Sequence, residues 1–177
     1  MNIWHDIQPE RIKPESFMAV IEISKGGKAK YELDKKTGLL RLDRILFTSV
    51  QYPANYGFIP RTYSDDKDPL DVLVLCSESI APLTLVSCSP IGMLKMLDDG
   101  AMDEKVIAVC NNDPFYQNYT DIDQLPPHLF AEIRHFYEVY KSLEHKETMV
   151  KEIENRPEAE ETIRKCIENY QNKFGEY

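Results

Sequence analysis

The chain has 177 residues, 42% hydrophobic and 29% charged, and carries a formal net charge of −9. That length suits a single domain, 1–177, able to bury about 70% of its unfolded surface, and no apolar run reaches the roughly 18 residues that a membrane span requires. The acidic balance excludes nucleic acid and anionic membrane as long-range partners, so an anionic small substrate would need local Lys, Arg and metal ions to overcome the overall field.

The N-terminal MNIWHDIQPERIKPES has no apolar stretch of the signal-peptide kind, which predicts a cytoplasmic protein. Residues 18–24, MAVIEIS, alternate as a strand with Met18, Val20 and Glu22 on one face and Ala19, Ile21 and Ile23 on the other, so Glu22 has apolar neighbours. KAKYELD, the turn KKTG and LLRLDRIL predict a hairpin whose polar face carries Lys28, Lys30, Glu32 and Asp34. On its return strand Arg44 continues the row of Leu40 and Leu42 if no bulge intervenes, which predicts either a buried, site-lining guanidinium or one that snorkels at the strand end. Residues 47–64, FTSVQYPANYGFIPRTYS, are rich in Tyr, Pro and Gly and predict an ordered irregular loop.

The most specific local signal follows at residues 66–72, DKDPLDV, where Asp66, Asp68 and Asp71 crowd one short loop ahead of the apolar run VLVL. Ionised carboxylates a few Å apart repel one another by roughly 1–4 kcal/mol per pair at surface-like dielectric, so a cation is expected among them. Ligands that are all oxygen indicate Mg²⁺ or Mn²⁺, and Mg²⁺ is usually bound together with substrate phosphates. Short β-like runs at 72–76, 83–88, 91–96 and 106–110 then predict a small antiparallel barrel, and DDGAMDEK at 98–105 adds a second acidic loop. Cys76, Cys88, Cys110 and Cys166 are widely spread without a CxxC pair and are expected to be free buried thiols. From Pro126 and Pro127 a helix with the stripe Leu129, Ile133, Phe136, Tyr140 and Leu143 is predicted to run to about residue 145. A second begins near Pro157, with Ala159, Ile163, Ile167, Tyr170 and Phe174 on one face. The fold class is therefore mainly β with flanking helices (α+β), a small barrel followed by two C-terminal helices.

Several chemistries compete for the acidic loops. An EF-hand fails on position: counted from Asp66, the sixth place is Asp71 where Gly is needed, the twelfth is Ser77 where Glu is needed, and the segment enters a strand. An aspartyl-phosphate phosphatase of the haloacid dehalogenase type matches DKDPL only loosely, because its motif follows a strand whereas here the strand comes after. An OB-like oligonucleotide-binding module would need a basic excess that this chain lacks. His5, His128, His135 and His145 make no HExxH-like pair, and there is no nucleophile elbow, P-loop or GxGxxG turn. What remains is the combination of two acidic loops with the bases Lys30, Arg44, Lys105 and Lys141 and the phenols Tyr52, Tyr56 and Tyr140.

With EISKGGKAKYELDKKTG, LDRIL, YPANYGFIP, DKDPLDVLV, IGMLKMLDDGAMDEKVIAV and HFYEVYKSLE arriving in order over about residues 15–145, the chain resembles the family I soluble inorganic pyrophosphatases of the short bacterial type. The resemblance implies an OB-like barrel, a homohexamer, and Mg²⁺-dependent hydrolysis of inorganic pyrophosphate to two orthophosphates by direct attack of a metal-activated water, without a phospho-enzyme. It implies two or more Mg²⁺ per site, with Mn²⁺ as a substitute. By the same resemblance Asp66, Asp71 and Asp103 are the principal metal ligands, Asp98 and Glu22 serve further metal or water positions, and Asp68 takes the proton of the attacking water. Lys30, Arg44, Tyr56, Lys105, Tyr140 and Lys141 hold the phosphates, and Glu32 and Tyr52 line the same cavity. The chain departs from the family pattern at Lys67, where a small residue such as Gly is usual, at Gly100-Ala101-Met102, which lacks an acidic residue, and at Met149, where many members have a tryptophan.

Overall fold

The computed structural model describes residues 1–175. Its strands are β1 (Ile12–Lys13), β2 (Ser16–Ile23), β3 (Ala29–Leu33), β4 (Leu40–Ile45), β5 (Asn55–Ile59), β6 (Leu70–Leu75), β7 (Leu85–Asp98), β8 (Ala101–Cys110) and β9 (Thr148–Asn155). Helix α1 (Pro127–Val139) precedes β9, and helix α2 (Arg156–Phe174) follows it. The main sheet has the order β1-β2-β5-β6-β8-β7-β9, and β2 pairs with β7 as well as β5, so the strands β2-β5-β6-β8-β7 close into a ring.

The ring corrects the expectation of an all-antiparallel barrel. Up and down cannot alternate all the way round an odd number of strands, so one pair has to be parallel. That pair is β6 with β8, in register from Asp71 opposite Lys105 to Leu75 opposite Val109. Both strands are buried on two faces: Leu73, Leu75, Ile107 and Val109 pack in the cluster that receives α1, while Val72, Val74, Val106 and Ala108 pack in the cluster that receives α2. Two buried faces leave no polar alternation, which accounts for the uninterrupted VLVL and VIAV runs.

Four further differences have local causes. The stretch 47–64 is not all irregular, because it contains β5, in which all five residues are buried. Gly57 is there for a close approach: a Cβ at this position would lie 1.8 Å from the Val20 carbonyl oxygen of β2. The runs 83–88 and 91–96 are one long strand, β7, with Pro90 accommodated where the β7–β8 register shifts. Strand β9 was not expected after residue 145; its charged sequence, TMVKEIEN, forms a strand because β7 offers an edge from Gly92 to Asp98. Helix α1 stops at Val139, Tyr140 caps it, and a short 3₁₀ turn at Ser142–Glu144 leaves Leu143 exposed.

The rest agrees with expectation. Helix α2 buries Ala159, Ile163, Cys166 and Tyr170, Ile167 packs against the same cluster, and all four cysteines are free and buried. The β3–β4 hairpin forms its own two-stranded sheet, tied to the barrel where the Leu33 amide donates to the Glu22 carboxylate at 2.8 Å. No helix among the described residues is long and apolar enough to cross a membrane.

Candidate active site

The parallel ladder sets the centre of the site, since the β6–β8 register places Asp71 directly opposite Lys105. The β7–β8 hairpin adds Asp98 and Asp103 on its two strands, so the second acidic segment is a hairpin tip and not an open loop. The segment entering β6 is closed by its own hydrogen bonds. The Ser64 amide donates to the Asp68 carbonyl at 2.9 Å, the Lys67 amide to the Ser64 carbonyl at 2.9 Å, and the Asp68 amide to the Asp66 carboxylate at 3.0 Å. Strand β2 contributes Glu22, β5 contributes Tyr56, the end of α1 contributes Tyr140 and Lys141, and the β3–β4 hairpin contributes Lys30 and Glu32.

These side chains line one cavity of about 530 Å³. Glu22, Lys30, Glu32, Tyr56, Asp66, Asp68, Asp71, Asp98, Asp103, Lys105, Tyr140 and Lys141 all face it. Arg44 and Tyr52 do not. The Arg44 guanidinium is turned to Glu144, 2.7 Å from Nε, and to Asp43, and so ties the hairpin to the turn after α1. Tyr52 is 2% exposed and sits one layer back, its ring 5.3 Å from that of Tyr56 and 4.7 Å from that of Phe136. Lys67 is exposed and outside the cavity, with a left-handed φ of 69° that explains why a small residue suits this place.

Electrostatically the cavity consists of carboxylates held by ammonium groups. Lys105, 3% exposed, bridges Asp71 at 2.9 Å and Asp103 at 3.0 Å, and its Nζ also donates to the Tyr56 hydroxyl at 3.2 Å. Burial alone would lower the Lys105 pKa, but Asp103 and Asp71 more than offset it and hold the amine protonated well above its usual range. Lys141 pairs with Asp98 at 2.5 Å, and Lys30 lies 3.4 Å from both Glu32 and Asp43. Burial, reinforced by Asp71, pushes the Glu22 carboxyl up to about 8. Burial also raises Asp66 and Asp103, with Lys105 opposing the shift of Asp103 and Asp71 adding to both. Carboxyls shifted upward by burial and by one another are those a bound cation would return to the ionised form.

The donor set facing the cavity, Asp66, Asp71, Asp103, Asp98 and Glu22, is all oxygen and fits a hard divalent cation. Among the described residues no three such side chains already converge on one point; the Lys105 ammonium stands between Asp71 and Asp103 instead. The sequence-based site also missed part of the wall: Asp34, Lys35, Lys36 and Arg41 of the β3–β4 hairpin line the cavity. The available signal was the KK pair in a turn adjoining the polar face of Lys30 and Glu32. Carboxylates and ammonium groups in one cavity can hold a dication and a polyanion together, the combination that phosphoryl transfer requires.

A family model of inorganic pyrophosphatases matches residues 19–171. The chain belongs to the inorganic pyrophosphatase family. It is 49% identical over 171 residues to soluble inorganic pyrophosphatase 2 of Chlamydomonas reinhardtii, covering 97% of this chain and 89% of that one. With a soluble inorganic pyrophosphatase of Solanum tuberosum it shares 56% identity over 147 residues, 83% of this chain and 70% of the other. Among solved structures, the inorganic pyrophosphatase of Helicobacter pylori superposes with a TM-score of 0.87 at 43% identity, covering 90% of this chain and 96% of that one. That of Thermus thermophilus gives 0.88 at 36% identity over 97% and 99%. The chain is thus an enzyme of this pyrophosphatase family, with the mainly β fold of its structural relatives, and membership supports hydrolysis of pyrophosphate.

Proposed function

We propose that the protein hydrolyses inorganic pyrophosphate to two orthophosphates with Mg²⁺, or Mn²⁺ in its place, by direct attack of water and without a phospho-enzyme. The observation that carries this is the single cavity in which Asp66, Asp71, Asp98 and Asp103 meet Lys30, Lys105 and Lys141. Asp66, Asp71 and Asp103 would hold the metal, with Asp98 and Glu22 at further positions, and the bound dication would neutralise phosphate charge and acidify water. Asp68, at the rim on the loop before β6, accepts the proton released as water attacks phosphorus. Lys30, Lys105 and Lys141 supply positive charge to the phosphate oxygens, and the Tyr56 and Tyr140 hydroxyls donate hydrogen bonds to them. Burial holds both phenols above their usual pKa, so they act as donors and not as bases. Glu32 lines the wall beside Lys30, and Tyr52 supports Tyr56 from behind. Arg44 joins the phosphate-holding set by exchanging Glu144 or Asp43 for substrate.

The same proposal takes residues 1–177 as one pyrophosphatase domain, consistent with a family match that spans 19–171. It includes a cytoplasmic location, supported by relatives named as soluble proteins, and a homohexamer, whose mass analytical ultracentrifugation would measure. The activity test is phosphate release from pyrophosphate with Mg²⁺ and then with chelator, beside a phosphomonoester control. Asp71→Asn is expected to abolish release while leaving the circular-dichroism spectrum unchanged. Turnover at the wild-type rate in that variant, or faster release from the monoester than from pyrophosphate, would refute the assignment.

A further inference from the structure

Asp68 differs from Asp71 and Asp103 in how it is held. Asp71 and Asp103 lie on strands and share the buried ammonium of Lys105, whereas Asp68 lies on a loop with half of its side chain exposed. A proton acceptor must meet the attacking water within a few tenths of an ångström, and a misplacement of about 1 Å costs on the order of a hundredfold in rate. Among the described residues the cation that pairs with this carboxylate is Lys35 of the β3–β4 turn.

The Lys35 ammonium is itself held from three directions. Besides the Asp68 carboxylate, it donates to the Lys67 carbonyl at 3.3 Å and lies 5.7 Å from the centre of the Trp4 ring. The left-handed turn at Lys67 belongs to the loop that presents this carbonyl. Trp4 is 4% exposed and fixed to the chain that leads into the aspartate loop: its indole N–H donates to the Thr62 carbonyl at 2.9 Å, and its carbonyl accepts from the Arg61 amide at 3.0 Å. The lysine therefore lies between a rigid aromatic face and two acceptors of one loop, and it brings the free end of the hairpin down onto that loop. An ordinary exposed ion pair lacks both the backbone acceptor and the aromatic face.

We propose that Lys35, backed by Trp4, is a positioning residue that sets the orientation of Asp68 for proton acceptance; this rests on the role given to Asp68 above. Steady-state kinetics on pyrophosphate with saturating Mg²⁺ test it through Lys35→Met, Lys35→Arg and Trp4→Phe. Lys35→Met is expected to lower kcat about tenfold with KM within about twofold of wild type, because the lost interaction orients the reacting group without binding substrate. Lys35→Arg, which keeps the charge, is expected to recover most of the rate. Trp4→Phe keeps an aromatic face but loses the tie to Thr62, and is expected to fall between the two. Trp4 is the only tryptophan in the chain, so its emission gives a readout independent of activity: Lys35→Met removes the ammonium beside the indole and should shift the emission maximum of the metal-free protein. A wild-type kcat in Lys35→Met would overturn the proposal, as would a rate loss that Lys35→Arg does not recover or an unchanged emission spectrum. An active wild type with an equally active Lys35→Met removes this proposal alone, whereas a wild type inert on pyrophosphate removes the assigned function and this proposal together.

Discussion

Lys105→Met isolates the charge that the fold places between Asp71 and Asp103. Methionine keeps most of the aliphatic stem that packs between the Tyr56 and Tyr137 rings, where Nζ lies 5.1 and 5.3 Å from the two centroids. What is lost is the ammonium, 2.9 and 3.0 Å from two carboxylates that are themselves 23% and 18% exposed in their side chains. Removing one partner of a buried pair costs about 3–5 kcal/mol, and the residual exposure of the aspartates puts this case near 3. For a chain of this length that corresponds to roughly 6–12 °C in Tm. In chelator the variant should melt lower by that amount. With millimolar Mg²⁺ the deficit should shrink by at least half, because a dication can replace the ammonium as counter-charge and binds only the folded protein. Differential scanning calorimetry of both proteins in both buffers checks this. A deficit below about 2 °C in chelator, or one that Mg²⁺ leaves unchanged, would show that Lys105 does not neutralise the pair.

Two further outcomes follow from single residues. Because burial raises Glu22 from 4.5 to about 8 in the fold, the folded protein keeps a proton there that the unfolded chain releases, so metal-free protein should lose stability as pH rises through that window. Glu22→Gln removes the dependence and still accepts the Leu33 amide; urea unfolding in chelator should find the variant gaining on wild type by up to about 1.4 kcal/mol per pH unit, and a difference that stays flat with pH would refute the shift. Lys67→Gly relieves a left-handed φ of 69° at some cost in unfolded-chain entropy. It should stabilise by roughly 0.5–1 kcal/mol in the same assay, and destabilisation would mean that the lysine makes a compensating contact.

Much of the site was legible in the sequence because its residues are charged and stand in otherwise apolar strands, where a carboxylate or ammonium has to be explained. Asp71 before VLVL and Lys105 before VIAV are such cases, but their facing each other across the ladder is a relation that the sequence alone does not contain. Arg44 illustrates the limit of face counting: its row on β4 was read correctly as a strand, but the hairpin pairing shifts register between Lys30 and Tyr31, and Asp43 and Glu144 capture the guanidinium. Strand β5 was concealed because Gly and Pro normally signal a turn, whereas Gly57 is selected by the backbone of β2 passing through the space of a Cβ. Strand β9 carries no alternating apolar pattern, and its conformation is imposed by the edge of β7. Lys35 is illegible in the sequence for a related reason: a lysine in a hairpin turn has the pattern of a solvated charge, and only the fold brings that turn back onto residues 67 and 68.

The cavity is assembled from elements spread along most of the chain, and this order sets when the site can be complete. The cavity draws Glu22 from β2, Tyr56 from β5, Asp71 from β6, Asp103 and Lys105 from β8, and Lys141 from beyond α1. The loop before β6 brings Asp66, Asp68 and Asp71 together by itself, but Asp98, Asp103 and all the ammonium groups of the cavity come from segments made later or paired from elsewhere. A ribosome must have released residue 141 before the last ammonium can reach Asp98, and strands this far apart in sequence pair slowly compared with local helices. Because the ring strands end at Cys110, the barrel can close before Tyr140 and Lys141 exist, and the cavity is complete only when the turn after α1 has packed against it.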